Sequence, residues 1–463
     1  MNRFLRLILL FLVLSGVGFQ TSRAQMMIEN TVVDTQTIIT GLDTPWEMVW
    51  GPDDHLWITE RFGRISRIDP LTGEQHVILN ISDEVEQTGE SGMLGLALHP
   101  DFPEDSRVYV VYTYLRENVI LERLAVYRYK NGALTNGQVL IDSIPGNATH
   151  NGSRLLFDTD KTLLMTTGDA QNLPSAQDIN SLTGKVLRIN DDGTVPDDNP
   201  YPGSYVYSVG HRNAQGLCRG PNGWIVSSEH GPSNDDELNI IRPAANYGWP
   251  EVEGYCDQVS EQTACEELDV TEPVLAWTPT LAVSDVEYYQ SDVIPELEGA
   301  LLMVTLKEKD MRALFLSEDG MTVEREVIYF DHEWNRLRAL CIAPDGSIYI
   351  SNSRSNWGNS TSFDHQIVRI YNSKLQGDIA SPNTPSIRAY PNPFRKGFYI
   401  EAPSYLEDAK YSVSSISGEQ LFSGTRREVM DFLNSKRVQS GIYFLNANTE
   451  LGAWQRRLVK TEN

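Results

Sequence analysis

The sequence predicts an all-β chain, a six-bladed β-propeller followed by a small C-terminal β-sandwich, and three observations carry that expectation. A unit made of an apolar run, a Pro-Asp-Gly-like turn and a second run rich in β-branched and aromatic residues recurs six times between residues 28 and 372. Long helical periodicity is absent over the same stretch. Past Tyr371 the texture changes, first to a segment of Pro, Ser, Asn and Gly and then to short alternating runs.

Residues 1–24 carry Arg3 and Arg6, an apolar run and a Ser22-Arg23-Ala24 end, the pattern of a secretory signal peptide. No later stretch is long and apolar enough to span a bilayer as a helix. The six units start near Trp46, Leu94, Arg154, Gln215, Asp285 and Arg338. Their turns, such as Pro344-Asp345-Gly346, explain the regularity: Pro presets φ, Asp or Asn bonds back to the backbone, and Gly accepts positive φ. Small antiparallel sheets cannot bury both faces alone, so radial packing is favoured, with a strand over residues 31–39 pairing with the last blade to close the ring. Residues 373–386 read as a linker, and 387–463 as a separate module with hairpins near 411–424 and 440–460.

The net charge of −25 is uneven. Residues 387–463 hold 11 Lys/Arg against 8 Asp/Glu and the first 24 residues three arginines and no acid, so the body between carries 24 against 55. Such a body repels nucleic acid and anionic membrane, and any convergence of Arg and Lys within it marks an anion site. Among the four cysteines, Cys256 and Cys265 flank a short polar loop and are expected to pair, whereas Cys218 and Cys341 sit in apolar runs as buried thiols. None has zinc-site spacing.

The chemistry concentrates in residues 204–250. Arg212 beside Asn213 and Gln215 offers directed donors to an anionic or carbonyl-bearing ligand. The run Glu229-His230-Gly231-Pro232, followed by Asp235 and Asp236, offers the carbonyl and carboxylate oxygens that a hard cation takes. The stretch therefore reads as an anion site next to a calcium-type site.

These residues also resemble a family. Gly210-His211-Arg212-Asn213-x-Gln215-Gly216 and Gly231-Pro232-x-x-Asp235-Asp236-Glu237, followed by Asn246-Tyr247-Gly248-Trp249-Pro250, are similar to motifs of the soluble pyrroloquinoline quinone (PQQ) dependent aldose and glucose dehydrogenases, the glucose/sorbosone dehydrogenase family. The resemblance covers about residues 40–371. It implies a six-bladed propeller that oxidises an aldose at the anomeric carbon, with PQQ and Ca2+ as cofactors and an external electron acceptor.

Carried over position by position, it implies His150 as general base, a role that suits an imidazole because it exchanges protons near neutral pH. Arg212 would face developing negative charge, Asn213 would contact the cofactor and Gln215 support it. Lys307, Arg336 and Arg338 would bind the cofactor carboxylates, and Arg336 and Arg338 would share one face of a strand. Gly231 and Pro232 would hold calcium through their carbonyls, with Asp235 or Asp236 orienting its waters and Tyr247 lining the pocket. On the substrate side the chain departs from glucose-specific members. Glu90 stands where they have glutamine, Ala214 replaces a proline, and the segment around Trp277 differs, so Glu90 and Trp277 are the expected sugar contacts.

The tail resembles the C-terminal sorting domain of the type IX secretion system in its Tyr390-Pro391-Asn392-Pro393-Phe394 opening and its Leu458-Val459-Lys460 close. That implies a Bacteroidetes-type source, passage through the periplasm, and delivery to the surface or medium by the secretion machinery. An accessory carbohydrate-binding sandwich is the alternative for the tail. A non-catalytic propeller binding glycans or a surface protein is the alternative for the body.

Overall fold

The computed structural model describes residues 25–354, 365–372, 388–390, 394, 397–401, 409–415, 419–449 and 452–461. The signal peptide expected over 1–24, the linker expected over 373–386 and part of the Tyr390–Phe394 motif lie outside the described residues.

Residues 25–372 form six antiparallel sheets. Their first strands are Pro45–Trp50, Met93–Leu98, Gly152–Phe157, Ala214–Arg219, Val283–Tyr288 and Arg336–Ile342, each within two residues of a start read from the sequence. Each first strand contacts the first strand of the next sheet, and the sixth contacts the first, so the six line a channel in cyclic order, an arrangement of the β-propeller type. Strands Thr31–Ile39 and Gln25–Ile28 add to the outer side of the sixth sheet, where Gln36 pairs with Arg369, as the closing strand was expected to do. Hydrophobic side chains from neighbouring sheets interdigitate between them: Leu124, Leu163 and Leu187 join the second sheet to the third, and Val226, Val286 and Leu301 the fourth to the fifth.

The turn chemistry is as the sequence requires. At Pro344-Asp345-Gly346, Gly346 takes φ +79° and donates to the Ala343 carbonyl, while Ala343 N–H donates to Ser347. A feature the sequence did not announce is that all six first strands carry a register shift against the second strand, near Trp46, Leu94, Ser153, Gln215, Ser284 and Arg338. A bulge re-aims the side chains beside it.

Cys256 and Cys265 form a disulfide, and Cys218 and Cys341 are buried free thiols. The polar loop expected between the paired cysteines contains a short helix, Gln262–Leu268.

In the tail, Lys410–Ser415 pairs with Gln420–Gly424 and Gly441–Thr449 with Gly452–Lys460, within a four-stranded sheet, and Arg388–Tyr390 pairs with Tyr399–Glu401. A helix at Arg426–Leu433, unforeseen among the hairpins, packs Val429 and Leu433 into the tail's own core of Phe394, Phe398, Tyr411 and Leu445. Its start was readable: Thr425 and Glu428 form a capping box, each side chain satisfying the other's backbone N–H.

Candidate active site

Antiparallel pairing decides which loops meet. Pro45 pairs with Glu60, Gly152 with Thr167, Ala214 with Glu229, Val283 with Thr305 and Arg336 with Ser353. The starts of the first strands and the residues just beyond the second strands therefore share one mouth of the channel. That places Arg61, His150, Asp169, Gly231 and Lys307 at the same end as Arg212 and Arg336.

His150 sits at the mouth with φ +60° and its side chain 18% exposed. Its Nδ1 lies 2.8 Å from Asp169 Oδ1. A carboxylate accepts, so Nδ1 carries a proton and donates it to Asp169. Asp169 is fully buried and fixed on both oxygens, by Gln171 N–H (2.7 Å) on Oδ1 and by Trp249 Nε1 (2.9 Å) on Oδ2. Gly168 allows this approach, because a Cβ there would stand 2.0 Å from the His150 carbonyl oxygen. Sequence reading did not single out Asp169. The hairpin register held the signal, since extending the Gly152–Thr167 pairing by two residues sets His150 opposite Asp169.

Arg212, Asn213 and Gln215 are held from beneath by Glu229. One of its carboxylate oxygens accepts the backbone N–H groups of Arg212 and Asn213 (3.1 Å for the latter), and the other meets His211 Nδ1 at 2.9 Å. Arg212 stacks over Trp249, ring centroid 5.3 Å away, and donates Nη1 to the His230 carbonyl (2.9 Å). Asn213 Oδ1 accepts from Gly152 N–H and from Gln215 Nε2, and Gln215 Oε1 accepts from Arg338 Nη1 at 3.3 Å.

Four arginines crowd the mouth, Arg61, Arg212, Arg336 and Arg338. Burial pulls the Arg338 guanidinium down to about 9, with Arg336 nearby pressing the same way and Glu90 opposing. Burial likewise lowers Arg61 to about 10 and lowers Arg212 and Arg336, with Glu90 opposing in every case. It also drives His230 to about 4, so that ring stays neutral. A guanidinium keeps its proton at neutral pH, and these depressions therefore mark positive charge that an anion would relieve. One carboxylate serves all four arginines: Glu90, which also accepts the His150 backbone N–H (3.2 Å). The Nε atoms of Arg212 and Arg338 are buried without a partner. A rigid polyanion fits this cradle.

The Gly231–Pro232 turn lies beside the cradle, in a small cavity shared with Arg212, His230 and Asp235. Asp236 is fully buried, and its oxygens accept the N–H groups of Gly231, Leu281 and Val283 at 2.8–3.1 Å. It pins the turn from below. Asp235 accepts Thr278 Oγ1 at 2.6 Å. Among the described residues no cluster of three or more His, Cys, Asp or Glu side chains is arranged to hold a metal. Lys307 is exposed on the same rim and donates Nζ to the Thr280 carbonyl (2.7 Å).

Two expected residues lie elsewhere. Trp277, placed on the sugar side by its position in the sequence, belongs to the outermost strand of the fourth sheet, packs against Leu238 and Leu301 and donates its indole N–H to Glu326. Tyr247 stacks on the buried His211 ring at 4.7 Å and donates its hydroxyl to the Ile240 carbonyl, so it supports the fold instead of lining the pocket.

Residues 42–359 match the family described as glucose/sorbosone dehydrogenase, and residues 388–461 match the secretion system C-terminal sorting domain. The aldose sugar dehydrogenase of Escherichia coli is 29% identical, over 70% of this chain and 91% of its own length. Quinoprotein glucose dehydrogenase B of Acinetobacter calcoaceticus is 35% identical, over 48% of this chain and 54% of its own. The PQQ-bound aldose sugar dehydrogenase of Streptomyces coelicolor superposes with a TM-score of 0.64 at 30% identity, covering 73% of this chain and 98% of that one. With the family pattern spanning most of the sheets that build the mouth, the chain belongs to the glucose/sorbosone dehydrogenase family and carries a secretion-system C-terminal sorting domain behind it.

Proposed function

We propose that this protein oxidises aldose sugars at the anomeric carbon to lactones, using PQQ and Ca2+ and passing electrons to an external acceptor. One observation carries the reading: an oriented His150–Asp169 pair opens onto the same mouth as four crowded guanidinium groups. The similarity to sugar dehydrogenases supports it.

His150 Nε2 takes the proton of the anomeric hydroxyl, and Asp169 holds the ring and stabilises the imidazolium that results. Glu90, beside the His150 backbone, accepts sugar hydroxyls. Arg212 supplies fixed positive charge where negative charge develops in the transition state. Arg336, Arg338 and Lys307 meet the three carboxylates of PQQ, Asn213 contacts it, and Gln215 holds Asn213 and Arg338 in place. Bound PQQ supplies the two-electron acceptor. Gly231 and Pro232 offer main-chain carbonyls to calcium, on a turn fixed by Asp236, with Asp235 at its edge. The cation adds charge to the same pocket.

We assign residues 28–372 to a six-bladed propeller that carries the chemistry and 387–463 to a β-sandwich that directs secretion, behind a signal peptide over 1–24 and a linker over 373–386. Export through the periplasm to the surface or medium follows from that tail.

The test is reconstitution of purified apoprotein with PQQ and Ca2+, then dye reduction with a panel of aldoses. Activity is expected to need both cofactors, to disappear on chelation, and to return poorly with Mg2+, which demands a tighter octahedral shell. A protein that takes up PQQ stoichiometrically yet reduces no dye with any aldose would overturn the proposal.

A further inference from the structure

Below the mouth the same channel changes character. Arg154, 2% exposed, reaches from the third sheet across to the first, fourth and fifth: it pairs with Glu47, donates Nε to the Gln215 carbonyl (2.8 Å) and lies 3.3 Å from Asp285 Oδ2. Beyond it opens a cavity of about 550 Å³ at the opposite end of the first strands, walled by Met48, Trp50, Leu98 and Phe157. Glu47, Arg154, Asp285 and Glu287 line its inner end.

Three carboxyl groups face one guanidinium there, and with burial raising Glu47 to about 7 the balance turns negative only as pH rises past neutrality. Glu47 is 95% buried, by its 5% exposure, and its Oε2 has no hydrogen-bond partner; Arg154 Nη2 has none either. Burial first, then Asp285 and Glu47, push the Glu287 carboxyl up to about 8, against the pull of Arg154. Buried acceptors left open at the wall of a cavity call for a donor from within it. The absence of a metal-type cluster among the described residues, together with the apolar walls, disfavours a bare divalent ion and favours a cation with an apolar body.

We infer that this lower cavity is a binding site for an organic ammonium ion, its charged head between Glu47 and Glu287 and its hydrocarbon body against Trp50, Leu98 and Phe157. The site is separate from the cofactor cradle, whose arginines repel the same ligand. It is linked to the cradle through Gln215, which touches Arg154 with its carbonyl and Arg338 with its side chain.

Calorimetric titration of the full-length protein with hexylammonium at pH 9, where Glu287 is ionised and the amine still protonated, against hexan-1-ol as the uncharged control, tests this. Hexylammonium is expected to bind about tenfold or more tightly than hexanol, the worth of one hydrogen bond to a charged acceptor. Glu287→Gln is expected to erase that difference. Equal binding of amine and alcohol by the unaltered protein, or no binding of the amine at millimolar concentration, would mean that water alone fills the cavity and overturns the inference. That arm needs no variant to fold. Undiminished amine preference in a folded Glu287→Gln protein would also overturn it.

Discussion

At its upper mouth the channel gathers Arg61, Arg212, Arg336 and Arg338, with Glu90 the acid they share and Asp43, Asp169, Glu229 and Asp236 beside Arg61 and Arg212. Half-way down there is one guanidinium, that of Arg154, among Glu47, Asp285 and Glu287. Both regions are built on the same six strands and flank the same bulges, so the backbone does not choose the sign of the charge. The difference lies in how far each region satisfies itself. Arg154 bonds its own sheet to three others and is a structural tie, whereas Arg212 and Arg338 each keep a buried Nε without a partner among the described residues.

The sharpest way to test that division is to remove the one group that should matter to chemistry alone. His150→Ala is expected to keep PQQ binding and fold while turnover per bound cofactor drops about 10²- to 10⁴-fold. Near-normal turnover per PQQ would strip the upper mouth of its assigned base and make Glu90 the next candidate.

Arg154→Met should do the opposite. It leaves Glu47 and Asp285 buried without their cation, a loss of about 3–5 kcal/mol of stability measured by denaturant unfolding. A variant as stable as the parent would show that Arg154 is not the tie.

Arg336→Ala sharpens the contrast from the other side. Removing one of four crowded cations is expected to leave the melting temperature unchanged or raised, while weakening PQQ affinity about tenfold. A destabilised variant with unaltered affinity would make Arg336 structural.

The smallest effect concerns pH. The Glu287 carboxyl is raised from 4.5 to about 8 in the folded chain, mainly by burial. Below the lower value both states are protonated; between the two only the unfolded chain releases the proton, so this residue's contribution falls as pH rises through that window. Glu287→Gln should therefore melt with the parent at pH 4 and a few degrees above it at pH 9. Coincident melting at both pH values would remove Glu287 from the buried acidic set.

How much of this was legible follows from which interactions are local. Sheet starts and turns were, because Pro-Asp-Gly chemistry and strand periodicity act within a dozen residues. The pairing of Cys256 with Cys265 was legible for the same reason. Arg212, Asn213 and Gln215 stood out as an arginine beside amide side chains and Arg338 through the family resemblance, and the structure joins Asn213, Gln215 and Arg338 by hydrogen bonds. Asp169 was hidden because its meaning depends on hairpin register. The Arg154 tie was hidden because Glu47 and Asp285 come from other sheets, more than a hundred residues away in each direction. Trp277 lies on the outermost strand of the fourth sheet, opposite Asp236, a placement set by strand pairing and not by local sequence.

The reach of Arg154 has one more consequence, for traffic. In a ring of six sheets the first and fourth stand opposite each other, and a side chain of the third bonded to both bars the passage between them. The upper mouth and the lower cavity therefore lie on opposite sides of Arg154. On the proposed function, sugar, lactone and electron acceptor all share the upper opening, so the acceptor must wait for the lactone to leave. Excess of either sugar or acceptor then crowds the other out, and turnover is a matter of taking turns at one door.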